Sequence, residues 1–498
     1  MFSTKDVRSR AGALAATRFR IAAITATLIM ATGGCAPESE IDGTRAMLTR
    51  IREEKQEQLA DYFDVVNQRV AAVRDDPRLL TAFDGLHRLY RGADAAQTAS
   101  VYDQSVMERY IEAYQLFFDI HFIAADGQIF YTLLKQDNLF GNLFSPEFAG
   151  WNLSSRLRDC PQQSAVDFQV VDFSSEPSAF FAEPVVAGGE HRGWIVLQYA
   201  SSRLNELFGY DSELGATGEV FLVNRSHFMM TRSQNSPGES ALQRHLSDEN
   251  IERKFAEGSG ELEVIDYRGY RCLTSFAVAE VLDFTWLLVA KIDYAEAMTR
   301  EYLAHDRRYY QLIRDELRRA PSSRNSFAAT TERAPDRETV RVYLDNYERV
   351  TGAMALETPG VATCTSVVIA LPGEFAYMAH ISPYDRIYDG TRTDLVSSML
   401  RQIRQFELPD KRLRELEVTL VTPEIRYSDS LITEFAEAGI FLSQITIMKN
   451  PGARCADVHY DLPTNTTYAT WYDQMGDPLW TQSRENTPTV GNLMESLL

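Results

Sequence analysis

The spacing of apolar residues changes along the chain, and each change predicts a different kind of element. Leu59, Phe63, Val66, Val70 and Val73 recur at alternating four- and three-residue steps, which places them on one face of a long helix. Arg52, Glu53, Glu54 and Lys55 fall on its solvated faces. A second helical stretch covers roughly residues 100–116. From Phe117 the period shortens to that of strands: runs at 118–123 and 128–133 flank Ala124-Ala-Asp-Gly127, and an Asp-Gly between β-rich runs predicts a hairpin. Strands at 194–199, 219–223, 269–276 and 285–290, with a helix at 202–207, complete the pattern. The fold class is α+β: a long N-terminal helix followed by two small PAS-like α/β modules, then a separate sandwich-like domain.

An Arg-rich helical run continues to about Arg319, and Ala320-Pro-Ser-Ser-Arg-Asn-Ser then reads as a linker. Beyond it the pattern predicts a helix over 338–350 and strands at 364–369 and 375–380 joined by Leu371-Pro-Gly-Glu374. A helix over 394–406, a strand at 416–421, a helix over 428–438 and a strand at 441–449 follow. The segments are therefore a leader (1–34), a first region (35–298), a helical, Arg-rich linker (299–335) and a C-terminal α+β domain (336–498) with a Cys-His β-hairpin.

Composition narrows the function. A formal charge of -20 excludes a surface built to hold polyanions, so nucleic acid is not a partner. Residues 1–34 carry a charged start with Lys5, Arg8, Arg10, Arg18 and Arg20, then an apolar run from Ile21 to Thr32 too short to cross a bilayer, then Gly33-Gly34-Cys35. That ending resembles a bacterial lipoprotein signal, in which the Cys becomes the lipidated first residue, so Cys35 is expected to anchor the chain to a membrane. No later stretch reaches the roughly 18 apolar residues of a membrane-spanning helix, which puts the remainder outside the cytoplasm, at the periplasmic face or the cell surface. Of the five cysteines, Cys160, Cys272, Cys364 and Cys455 then remain to pair or to work as thiols.

Asp126-Gly127-Gln-Ile-Phe-Tyr131, Val171-Asp-Phe-Ser174 with Phe180-Phe-Ala-Glu-Pro184, and Leu214-Gly-Ala-Thr-Gly-Glu219 with Phe221-Leu-Val-Asn224 resemble, in order, the double Cache sensor domains of bacterial chemoreceptors and cyclases. The resemblance spans about residues 40–298 and implies an extracytoplasmic sensor of a small-molecule ligand, with its pocket in the first module. Tyr131, Trp151, Asp172 and Phe181 are the ligand-binding candidates there, Asp172 to hold a ligand ammonium and an aromatic to cap it. The alternative for these residues is core packing and a turn cap. The Arg-x-Trp-Tyr signature of amino-acid-binding relatives is absent, so an amino acid ligand is not implied.

In the C-terminal domain, Cys364 at the start of one strand and His380 at the end of the next are set by the hairpin to lie side by side. A thiolate attacks a carboxamide and a neighbouring imidazole protonates the departing amine, which is the chemistry of Cys-His catalysis. Cys364-Thr-Ser, Tyr377-Met-Ala-His380 and Ser443-Gln-Ile-Thr-Ile-Met448 resemble the catalytic domain of cytotoxic necrotizing factor, and the Cys-to-His hairpin is similar to the CheD-type chemoreceptor glutamine deamidases. The resemblance implies Cys364 as nucleophile, His380 as general base and acid, and Thr358, six residues before the Cys, as an orienting group. Two other readings stay open: a Cys364–Cys455 disulfide, and a Cys2His2 zinc site adding His459. No cofactor and no resident metal are expected; the partners are a small-molecule ligand, a protein substrate or partner in the envelope, and the membrane. The two functions in competition are a protein-glutamine deamidase under a sensor and a non-enzymatic solute-binding or adaptor lipoprotein.

Overall fold

The computed structural model describes residues 41–497 apart from 93–95, 160–161, 175, 210–211, 236–240, 247–248, 320–333, 383–394, 409, 424–427, 451 and 485–486. Cys35 and the leader, Cys160 and the linker over 320–331 therefore lie outside the described residues. Helix α1 (Asp42–Val73) runs 32 residues and buries Leu59, Phe63, Val66, Val70 and Val73, the stripe its sequence spacing predicts. Two shorter helices, α2 (Pro77–Arg91) and α3 (Ala96–Arg109), follow. The buried Asp76 caps α2 by accepting the backbone N–H groups of Arg78 and Leu79 at 3.0 and 3.3 Å, and its other oxygen takes Arg109 at 2.5 Å. None of the described helices is long and apolar enough to cross a membrane.

The first module is a five-stranded antiparallel sheet in the order β2-β1-β5-β4-β3, built from β1 (Asp119–Ala124), β2 (Ile129–Thr132), β3 (Ser164–Gln169), β4 (Ser178–Ala187) and β5 (Glu190–Ala200). The second is a four-stranded antiparallel sheet, β6-β9-β8-β7, from β6 (Glu219–Val223), β7 (Ser259–Ile265), β8 (Arg271–Val281) and β9 (Phe284–Asp293), with α4 (Glu249–Glu257) on one face. Phe63 of α1 packs edge-on against Trp286 of β9 at 5.4 Å and against Tyr199 of β5 at 5.8 Å, so one aromatic cluster ties both sheets to the helix. The Trp286 indole N–H donates to Asp167 of β3, so the polar end of that buried ring is satisfied across the two modules. The fold is α+β, with the long helix and antiparallel sheets that the double Cache resemblance implies.

Helix α5 (Tyr294–Ala304) leaves the second module and continues into α6 (Asp306–Arg319). Its Glu296 carboxylate accepts the backbone N–H groups of Ala216 and Thr217 at 3.0 and 2.8 Å, which pins the Leu214-Gly-Ala-Thr-Gly loop. A Cβ at Gly215 (φ +73°) would stand 2.0 Å from that same carboxylate, so the glycine is required by close approach.

The C-terminal region is a two-sheet sandwich. One sheet has the order β10-β12-β17-β18-β19 from β10 (Thr339–Arg341), β12 (Ala355–Val361), β17 (Cys455–Asp461), β18 (Thr466–Tyr472) and β19 (Pro478–Ser483). The other, β11-β14-β13-β15-β16, takes β11 (Asn346–Thr351), β13 (Thr365–Leu371), β14 (Phe375–Ile381), β15 (Glu417–Thr422) and β16 (Ile445–Lys449). Helices α7 (Leu395–Gln402), α8 (Ser428–Glu437) and α9 (Val490–Leu497) complete the region. The core between the sheets includes Leu356, Val368, Met378, Val421, Met448, Val458 and Trp471. The expected helix over 338–350 is corrected to strands β10 and β11. Thr339, Val340, Val342 and Tyr343 are β-formers, and the left-handed backbone at Asp345 (φ +54°) breaks the run into two strands.

Gly43–Leu498 form one compact unit. Helix α5 is its keel: the Thr299 hydroxyl accepts the Leu442 backbone N–H at 3.1 Å, Tyr302 is fully buried, and Arg271 of β8 forms an ion pair with Glu495 of α9.

Candidate functional site

Thr358, His380 and Asp345 meet at one end of the sandwich. Alternation along β14 turns His380 toward the core between the sheets, on the same side as Met378 and Ala376. Thr358 reaches it from β12 of the facing sheet, with Oγ1 2.7 Å from His380 Nδ1. The single hydroxyl proton of Thr358 goes to the Val342 carbonyl at 2.9 Å, so the hydroxyl must accept from the imidazole. His380 is therefore the Nδ1–H tautomer, and its Nε2 lone pair is buried without a hydrogen-bond partner among the described residues. Burial lowers the imidazole pKa from its ordinary 6.5, with the Asp345 carboxylate pushing the other way, so the ring is neutral at pH 7.

Asp345 holds the strand end. Its N–H donates to the His380 carbonyl at 2.7 Å and its Oδ1 accepts the Ser382 N–H at 2.9 Å, which needs the left-handed backbone noted above. The sequence pattern does not single out this residue, because the segment around it reads as a helix. An Asp-Asn between two β-rich runs is the signal that marks such a turn.

Cys364 packs against the same inter-sheet core, one residue ahead of β13. The register pairs Ser366, not Cys364, with His380, because Leu371 pairs with Phe375 around Gly373 (φ +75°) and every later pair follows from that turn. Cys364 thus lies diagonal to His380 on one face, and no hydrogen bond joins them among the described residues; this differs from the side-by-side placement expected. Burial pushes the half-buried thiol up from its ordinary value, Thr363 opposes this and Asp345 adds to it. The resting pair is a neutral thiol near a neutral base.

The competing readings of the cysteines are settled differently by geometry. Cys364 and Cys455 are both free thiols, since Cys455 opens β17 in the opposite sheet, and the disulfide reading is corrected accordingly. Cys364, His380, Cys455 and His459 do not bring three donor atoms together among the described residues. The Ser443–Met448 segment lies two strands from β13, and Gln444 there is tied down structurally, donating to the Leu413 and Leu416 carbonyls ahead of β15 at 2.9 and 2.7 Å and accepting the Phe441 backbone N–H at 2.7 Å.

The four ligand candidates of the first module are not brought together. Tyr131 donates to Asp103 of α3 at 2.8 Å, with Lys135 over its ring at 3.9 Å. Trp151 packs edge-on to Phe148 at 4.5 Å and against Phe173 at 4.7 Å. Phe181 is buried on the other side of β4 from Phe180, against Phe117, Tyr199 and Phe284. Asp172 is exposed. Strand β4 alternates its faces, so the adjacent Phe180 and Phe181 serve different environments, while Asp172 lies in the connection between β3 and β4.

No family model matches the chain, and no curated protein matches it. Solved structures similar to it include an extracellular ligand-binding receptor from Desulfohalobium retbaense DSM5692, at 14% identity and TM-score 0.34 over 49% of this chain and 40% of that one. The chain thus spans less than half the length of that receptor. The ligand-binding domain of the Pseudomonas aeruginosa PAO1 amino acid chemoreceptor PctB, in complex with L-Arg, matches at 13% identity and TM-score 0.34 over 52% of this chain and 98% of that one. The corresponding domain of PctC, in complex with GABA, matches at 15% identity and TM-score 0.34 over 50% and 100%.

Proposed function

We propose that this chain is an extracytoplasmic, lipid-anchored sensor whose C-terminal sandwich is a Cys-His amidohydrolase acting on glutamine side chains of a protein. The observation that carries the enzymatic half is the Thr358–His380–Asp345 arrangement, in which a hydroxyl fixed by a backbone carbonyl holds an imidazole with its Nε2 buried and unpaired among the described residues, diagonal to Cys364 on the same face. The sensor half rests on the two antiparallel modules on α1, and the shared keel α5 gives them a direct mechanical connection to the sandwich.

His380 Nε2 takes the Cys364 proton as the sulfur adds to the carboxamide carbon. The imidazolium so formed is stabilised by Asp345 and returns the proton to the amide nitrogen, and ammonia leaves a thioester on Cys364. Water, deprotonated by His380, then releases glutamate and restores the thiol. Because both groups rest neutral, the proton moves only when a carboxamide is in place, so slow labelling of the free thiol is compatible with catalysis.

The test is ammonia release from glutamine-containing peptides and envelope proteins, with the accompanying amide-to-acid mass change located by peptide mapping. Release that is lost in Cys364→Ala and His380→Asn and kept in Cys455→Ala supports the reading. No release assigns the domain to the non-enzymatic alternative, an adaptor or solute-binding lipoprotein, and release unaffected by Cys364→Ala overturns Cys364 as the nucleophile.

A further inference from the structure

Ser366 carries a buried hydroxyl that the chemistry at Cys364 and His380 leaves unused. The residue is 0% exposed, and its Oγ has no hydrogen-bond partner among the described residues. Its neighbours fix the face it takes. Val368 pairs with Met378 and Ala370 with Ala376, and all four belong to the core between the sheets. Alternation along β13 puts Ser366 and Cys364 on that same face, and Ser366 pairs on its other side with Val421, another residue of this core.

The register sets Ser366 directly opposite His380. Side chains at such positions leave the backbone about 4.5–5.5 Å apart at Cβ. His380 Nε2 is the second orphan here, buried and without a partner among the described residues, so the two atoms are not bonded to each other. Burying a polar atom unpaired is unfavourable, and two of them at one paired position mark a place that suits a third polar group. That group has to be small, because Ser366 is closed off from the surface. Cys364, two residues along the same face, is only half-buried and is the group that a glutamine side chain reaches first.

From this pairing we infer that Ser366 is a further catalytic residue, which holds the water that releases the acyl group from Cys364. The inference rests on the reading of Cys364 and His380 as nucleophile and base. The Ser366 hydroxyl donates to one lone pair of the water and the water donates to His380 Nε2, which leaves the second lone pair for the thioester carbon. The water oxygen bonds to that carbon as Nε2 takes its proton. The carbon–sulfur bond then breaks and the sulfur recovers the proton from the imidazolium, giving a free acid and the thiol. The earlier, acyl-forming step passes its proton from sulfur to Nε2 and has no use for Ser366.

The purified full chain, treated with p-nitrophenyl acetate and then freed of reagent, tests this through the acetyl mass on the Cys364 peptide. Wild type and Ser366→Ala are expected to gain the acetyl group at similar rates, and the variant to lose it more slowly by about tenfold or more. Hydroxylamine, a nucleophile that needs no held water, should strip the acetyl group from both at the same rate. Ser366→Ala strands no partner, so it is expected to keep the wild-type urea midpoint. Equal loss of acetyl to water in the two proteins overturns the inference. A variant slowed in both steps alike, or unfolding at lower urea, marks a structural role and overturns it too, as does acetyl found on Ser366 in place of Cys364. A wild type that takes no acetyl at Cys364 overturns the nucleophile reading itself, so the two failures are told apart.

Discussion

Thr358 and His380 come from facing sheets of the sandwich, yet their side chains meet at 2.7 Å, and the Thr358 hydroxyl proton is already committed to Val342. A hydroxyl that has spent its proton can only accept, so this contact selects the imidazole tautomer. Replacing Thr358 by Val removes the acceptor and strands both the His380 Nδ1–H and the Val342 carbonyl, at a cost of about 1–3 kcal/mol. Nitrogen-15 NMR of the histidines is expected to show His380 as the Nδ1–H form in the wild type and a mixture in Thr358→Val, with Thr358→Ser restoring both the tautomer and ammonia release.

The protein is expected to lose stability in mild acid. Burial depresses the pKa of His380 and of His459, in each case offset in part by nearby acids, and burial also lowers His87 and His191. The unfolded chain then binds protons below the ordinary 6.5 that the folded chain does not, so the stabilisation is complete above that pH and is lost as pH falls from there through the folded values. Urea midpoints measured from about pH 8 down to about pH 5 should fall across this window, and His380→Asn should flatten part of the slope.

Lys291 is the central cation of the second module, paired with Glu219 at 3.0 Å and with Asp266. Changing it to Met leaves two carboxylates, both almost fully buried, short of their counter-charge, and a loss of about 3–5 kcal/mol is expected. Adding Glu219→Gln should recover part of that loss in denaturant melts, because it removes one of the stranded charges.

Gly193 sits on β5 opposite Ala124, at φ +144°, and a Cβ there would stand 2.0 Å from the Ile123 carbonyl oxygen. Gly193→Ala must push the central strand β5 away from its neighbour β1, with an expected cost of roughly 2–4 kcal/mol. Thermal unfolding of this variant against Gly189→Ala, a left-handed glycine with open space around it, separates the steric clash from the backbone strain alone.

The cysteines give a direct chemical check. Cys272, Cys364 and Cys455 are free thiols, so alkylation of the denatured protein without reductant should label all three. Protection of Cys364 and Cys455 together would show a bond that silences the proposed nucleophile.

Periodicity alone located α1 with its buried stripe, the β1–β2 hairpin, the β13–β14 hairpin and the strand β15, because each has a local signal: a helical repeat, or alternation closed by a Gly turn. It misread 338–350, where β-branched residues stand among charges that suit a helix equally well, and the decision belongs to the partner strands β12 and β14. Cys364 and His380 were likewise legible from the hairpin, whereas Thr358 came only from the resemblance to the CheD-type deamidases.

Their relation was not legible. Which face His380 takes, that its partner across the sandwich is Thr358, that Cys364 is offset by the turn at Gly373, and that Asp345 grips the strand end are all consequences of register and sheet packing. Sequence determines which elements form where the pattern is local. Tertiary structure decides which side chains share one space, because residues far apart in the chain become neighbours only when the sheets close on each other.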